Sequence, residues 1–193
     1  MKIVETSTKQ DFNDGDLKSE TLSTYYKTIR ETAAIYADSE AALASEEMAY
    51  YVTAELHNSP QDNEEALNWG VTCIYPLTVA GECCMTRGHF HADRNYAEYY
   101  LCTAGEGYLL CWDGEDEIVA YHMTAGSLQY IDGRMAHRLI NTGDQMFKVA
   151  TCWATNSGQD YQTIAVSGFP VRAYKRNGKL EWVRASEEKE DKH

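Results

Sequence analysis

No apolar run in this 193-residue chain approaches the ~20 residues a membrane-spanning helix needs. The opening residues, Met1-Lys2-Ile3-Val4-Glu5-Thr6, hold no apolar core of the kind a secretory leader carries. No membrane association and no such leader are expected. Basic residues are scarce: 17 Lys and Arg stand against 30 Asp and Glu, a formal net charge of −13. Nucleic acid and anionic membranes both require a basic footprint, so neither is an expected partner. The six cysteines, at positions 73, 83, 84, 102, 111 and 152, include no Cys-x-x-Cys pair. Cys83 and Cys84 are adjacent on a predicted strand and point to opposite faces, so no bridge is expected between them. Free thiols packed as small apolar side chains fit a reducing cytoplasm. Internal repeats and low-complexity segments are also missing, and the length suits one domain with a sizeable core.

What the chain does have is a series of short strand-like runs. They cover 48–56, 69–75, 82–88, 96–103, 107–112, 117–122, 127–131, 137–141 and 146–153, with turn residues between them such as Asp113-Gly114 and Asp132-Gly133. Many short strands at regular spacing predict a mainly all-β barrel or sandwich. Asp38 to Glu47 reads as a short helix capped by Asp38 or Ser39. Asn58 to Asn68, with Pro60, reads as a polar loop. Val171–Tyr174 and Lys179–Val183 flank Asn177-Gly178 and predict a hairpin. The expected organisation is a polar N-terminal arm at 1–24, one barrel domain at 25–184 and a charged tail at 185–193.

The chemistry concentrates in Gly88-His89-Phe90-His91, Glu98 and His137. On a strand, residues two apart share a face, so His89 and His91 aim two imidazoles into one interior. A helix cannot do this, because positions i and i+2 do not share its face. Three imidazoles and a carboxylate suit a divalent ion with room left for small-molecule oxygens. His57 and His122 lack such context, and His193 belongs to the tail.

Gly88-His89-Phe90-His91 with Glu98 and Gly105, followed by Gly126, His137 and Asn141, resembles the two-part motif of the cupins. The resemblance narrows with Thr86-Arg87-Gly88-His89-Phe90-His91-Ala92, Ala97-Glu98-Tyr99-Tyr100, Ala136-His137-Arg138 and Gly158-Gln159-Asp160-Tyr161-Gln162-Thr163-Ile164-Ala165. Together these resemble the cupin-type phosphoglucose isomerases across roughly residues 50 to 183. That likeness implies a single double-stranded β-helix barrel and interconversion of glucose 6-phosphate and fructose 6-phosphate. It further implies a homodimer and one divalent metal per chain, Fe²⁺ first, with Mn²⁺, Ni²⁺ or Zn²⁺ as alternatives. By resemblance His89, His91, Glu98 and His137 hold the metal, and Glu98 and Tyr161 are catalytic. Thr72, Thr86, Gly88, Tyr100, Tyr50 and Gln159 are placed around a sugar phosphate in the same way.

Four departures stand out: a longer His91–Glu98 gap, Asp132 and Arg134 for the usual Pro and Gly, Gln159 for His, and Trp153 for Tyr. Proton transfer through an enediolate and a hydride shift between C1 and C2 remain alternative mechanisms. Other readings of the same ligands are another sugar-phosphate isomerase or epimerase, a non-heme metal dioxygenase, and a sugar-binding module without catalysis.

Overall fold

Alternation of buried and exposed residues drives most of the chain into antiparallel strands, as in Met48–Glu55 and Leu67–Ile74. The computed structural model of the chain describes residues 1–57 and 66–187. The part of the expected polar loop at 58–65, Pro60 included, and residues 188–193 lie outside the described residues. The largest sheet has six strands, in the order Leu128–Ile131, Glu98–Ala104, Phe147–Ala154, Leu67–Ile74, Met48–Glu55 and Ser23–Thr28. A second sheet places Glu106–Trp112 between Ile118–Thr124 and Ala136–Asn141. Tyr100, Ile74 and Val149 from the first sheet share one core with Leu109, Leu110 and Ile140 from the second. Antiparallel sheets around a common core are the mainly all-β architecture, barrel or sandwich, that the spacing predicts.

The predicted strand at 82–88 is shorter than expected. Glu82–Cys83 joins Thr78–Val79 and the Val171–Arg176/Lys179–Arg184 hairpin in a small sheet. Beyond it the chain runs beside Ala136–Asn141 without forming a regular strand, in isolated bridges of Met85 with Ile140 and His89 with His137 and in hydrogen bonds such as Thr86 N–H to the Leu139 carbonyl. The break falls at Gly88, whose φ of +72° takes the backbone out of extended geometry. A Cβ there would lie 2.7 Å from the Phe169 ring and 3.1 Å from the His137 carbonyl oxygen, so the position tolerates only glycine. The hairpin turns as its Asn-Gly pair predicts, with Asn177 and Gly178 both at positive φ.

The first helix covers Ser39–Leu43, and the Asp38 carboxylate accepts the Ala41 N–H at 2.9 Å. It is shorter than the predicted 38–47 because the chain must extend into the strand that begins at Met48. A 3₁₀ turn at Arg30–Ile35 and a helix at Tyr161–Ser167 were not expected. Within 1–24, Lys9–Gln10 pairs with Leu17–Lys18. Leu17 is buried against Val71, Cys73 and Ala150, and the Thr103 hydroxyl donates to the Gly15 carbonyl at 2.9 Å. Through Leu17 and Gly15 this stretch packs on the barrel. All six cysteines are free, and five are buried. No helix among the described residues is long and apolar enough to cross a membrane.

Candidate functional site

Two backbone hydrogen bonds set the site. His89 N–H donates to the His137 carbonyl at 3.2 Å, and His137 N–H returns to the His89 carbonyl at 3.0 Å. This pairing of the turn after Gly88 with the Ala136–Asn141 strand brings the two rings within 4.6 Å. His91 lies one alternation further on, and Glu98 opens the Glu98–Ala104 strand. The ligand atoms of His89, His91, Glu98 and His137 all fall within 4.8 Å of one another. The long His91–Glu98 gap is taken up by a turn, closed by Tyr96 N–H to the Asp93 carbonyl at 3.3 Å.

The donors fit a cation. His91 Nδ1 lies 2.7 Å from the Tyr96 carbonyl oxygen and His137 Nδ1 lies 3.2 Å from that of Met135. A carbonyl only accepts, so each Nδ1 carries a proton, and a ring holding only that proton turns its Nε2 lone pair inward. Those lone pairs face Glu98 Oε1 at 3.1 Å from His91 and 2.7 Å from His137. Lone pairs set against a carboxylate need a positive charge between them. Burial pushes the His91 imidazole down, but its hydrogen bond to Glu98 outweighs that and raises it. Burial pushes the Glu98 carboxyl up, but the charge and hydrogen bonding of His137, with His91, hold it well below the usual carboxylate range. His89 stays neutral, because burial and then the neighbouring His137 push its pKa well below 6.5.

These four residues sit in a cavity of about 570 Å³. Thr72, Thr86, Gly88, Tyr50, Tyr100, Gln159 and Tyr161 all line it as well. Tyr161 begins the Tyr161–Ser167 helix, whose first turn is capped by the Asp160 carboxylate accepting Thr163 N–H at 3.0 Å. Its ring lies 5.3 Å from His89, and the Arg87 guanidinium stacks 4.4 Å above it. Its hydroxyl donates to Gln159 Oε1 at 2.7 Å. Burial raises the Tyr161 hydroxyl pKa more than Arg87 lowers it, so it remains protonated at neutral pH. Burial does the same for Tyr50 and Tyr100. The lining is therefore rich in hydroxyl donors, with one arginine among them.

Ser23, Tyr25 and Lys27 also face the cavity, from the edge strand Ser23–Thr28. Sequence reasoning did not pick them out. Their i, i+2, i+4 spacing was the available signal, but it ran through a segment with no apolar face. Trp153 and Thr151 line the cavity from the Phe147–Ala154 strand.

A family model for glucose-6-phosphate isomerase matches residues 26–191 of this chain. The glucose-6-phosphate isomerase of Thermococcus litoralis is 32% identical over 173 residues, 89% of this chain and 90% of that protein. That of Pyrococcus horikoshii is 36% identical over 133 residues, 68% of this chain and 70% of that protein. That of Pyrococcus furiosus is 34% identical over the same length.

Proposed function

The chain belongs to the glucose-6-phosphate isomerase family, and on that premise we propose that it is a metal-dependent isomerase that interconverts glucose 6-phosphate and fructose 6-phosphate. The observation that supports this reading best is a single cavity shared by four metal-ligating side chains and a set of threonine and tyrosine hydroxyls. A metal site alone would suit many reactions. The hydroxyl-rich remainder suits a phosphate oxygen shell and a polyol chain.

A divalent ion bound by His89, His91, Glu98 and His137 would polarise the sugar carbonyl and hold its oxygens in register. Iron is the first choice, with manganese, nickel and zinc as alternatives, because mixed imidazole and carboxylate ligands accept each. Glu98 is the base that moves a proton between C1 and C2 of the open-chain sugar. Its carboxyl is held ionised, as a base requires. Tyr161 orients the sugar hydroxyls and keeps a proton to donate.

Thr72, Thr86, Tyr50, Tyr100 and the Gly88 N–H receive the phosphate. The Thr86 oxygen already accepts the Leu139 N–H at 3.1 Å, so its own O–H is left to donate to the ligand. Arg87 supplies positive potential inside a chain of net charge −13. Gln159 accepts from Tyr161 and cannot titrate, so it positions that hydroxyl and does not shuttle a ring-opening proton. We place the enzyme in the cytoplasm as a homodimer.

The test is turnover of fructose 6-phosphate by the purified protein, with oxygen uptake followed in parallel. Glucose 6-phosphate formed without oxygen uptake supports the isomerase. Oxygen uptake without isomerisation would move the site to oxygenase chemistry, which the same ligand set also serves.

A further inference from the structure

A second cavity, of about 260 Å³, lies beside the first and shares Arg87, Gly88 and Tyr161 with it. That volume is several times the ~30 Å³ a water occupies in the liquid. The Arg30–Ile35 turn and the Tyr161–Ser167 helix line it. Its charged lining is lopsided: Arg87, Arg138 and Arg172 face a single acid, Glu31. Glu31 is already engaged, accepting from Lys27 Nζ at 3.1 Å and from the Thr28 N–H at 2.8 Å. Arg172 is paired with Glu82 at 2.6 Å.

Arg138 is the unusual member. It is only 4% exposed. Its Nη2 donates to the Arg87 carbonyl at 2.6 Å, its Nη1 meets the Met85 sulfur at 3.1 Å, and its guanidinium lies 4.1 Å over the Phe169 ring. Among the described residues no carboxylate is in ion-pair contact with it, its Nε has no hydrogen-bond partner, and the buried Glu82, already paired with Arg172, acts on it only from further off. A buried guanidinium without an anion in contact carries a heavy desolvation penalty. A ring face, a sulfur, one carbonyl and the more distant Glu82 charge offset only part of it.

We propose that this second cavity binds a small phosphate-class oxyanion, either free phosphate or the phosphoryl group of a small organic phosphate, against the uncompensated Arg138. Arginine forks match tetrahedral oxyanions well. The shared Arg87–Gly88 wall sets such an anion next to the main cavity but outside it. The inference stands on its own observations and does not depend on the isomerase reading.

The experiment is calorimetric titration of inorganic phosphate, and separately of glycerol phosphate, into the full-length metal-loaded protein. Thr72→Val weakens phosphate binding in the main cavity. Ala165→Trp obstructs the second, because Ala165 is an exposed residue on its lining and the substitution leaves the core alone. Two equivalents of phosphate are expected in the unaltered protein. Ala165→Trp removes one of them, and Thr72→Val weakens the other about tenfold, as loss of a hydrogen bond to a charged group would.

Arg138→Met removes the same equivalent as Ala165→Trp; should that variant fail to fold, Ala165→Trp alone decides. A single equivalent that Thr72→Val weakens and Ala165→Trp leaves unchanged overturns the proposal. If the Thr72-sensitive equivalent is the one missing, the phosphate reading of the main cavity fails and the second site stands. Glycerol phosphate taking the Ala165-sensitive site identifies the organic source, and its exclusion identifies free phosphate.

Discussion

His137 Nε2 lies 2.7 Å from a Glu98 carboxylate oxygen, and His91 Nε2 lies 3.1 Å from the same oxygen. His137 and Glu98 are close because the His89–His137 backbone pairing and the start of the Glu98–Ala104 strand hold them there. Two imidazole nitrogens converging on one buried carboxylate oxygen are the arrangement a divalent ion would fit. Most of what the site is expected to do follows from that relationship.

Replacing His137 with Ala removes one inward donor and leaves the other three in place. Metal content and turnover should fall together, by at least the ~10–100-fold seen when a ligand loses only its supporting hydrogen bond. Elemental analysis and the isomerase assay on the same sample check this. Normal activity in this variant would mean the ion is held elsewhere.

Glu98→Gln keeps the shape and an oxygen donor but removes the base. Turnover should drop by about 10²–10⁴-fold, the usual contribution of a positioned general base, while metal content falls much less. A parallel fall in both would reduce Glu98 to a ligand.

Thr72→Val tests the phosphate wall of the main cavity. Losing one hydrogen bond to a charged group costs about 1.5–3 kcal/mol, so KM for fructose 6-phosphate should rise by about 10- to 100-fold. kcat should change little, because the phosphate is bound alike in ground and transition states. A fall in kcat at constant KM would place Thr72 near the reacting carbons instead.

Asp160 caps the helix that carries Tyr161. Its hydrogen bonds from Thr163 hold its carboxyl below the ordinary 3.8. A depressed acid stabilises the folded state at pH values above its ordinary pKa and loses that contribution as pH falls through its folded value. The cap is therefore intact throughout the neutral range. Asp160→Ala should lower turnover several-fold at every neutral pH, and Asp160→Asn, which still caps, should recover most of it. Equal loss in both variants would mean the carboxylate charge matters beyond the cap.

The pairing of His89 and His91 in one cluster was legible because a His-x-His pair on extended chain is a local pattern with one geometric outcome. The strands were legible for the same reason, as in Met48–Glu55, while their spacing left barrel and sandwich open. The Tyr161–Ser167 helix was not, because only Ile164 in it is buried and seven residues give no clear period. Ser23–Thr28 was divided between arm and barrel, since none of its residues is buried and nothing marks its cavity-facing side chains as inward. Arg138 gave no sign of burial, because arginine is rarely buried and its acceptors come from a segment about fifty residues earlier in the chain.

The most direct measurement is a coupled assay of fructose 6-phosphate conversion to glucose 6-phosphate on chelator-treated protein, with Fe²⁺, Mn²⁺, Ni²⁺ or Zn²⁺ added back one at a time. The account predicts negligible turnover in the stripped protein and restoration by at least one ion, with Fe²⁺ foremost. Full turnover in the stripped protein, or none with any ion despite metal binding, would contradict it.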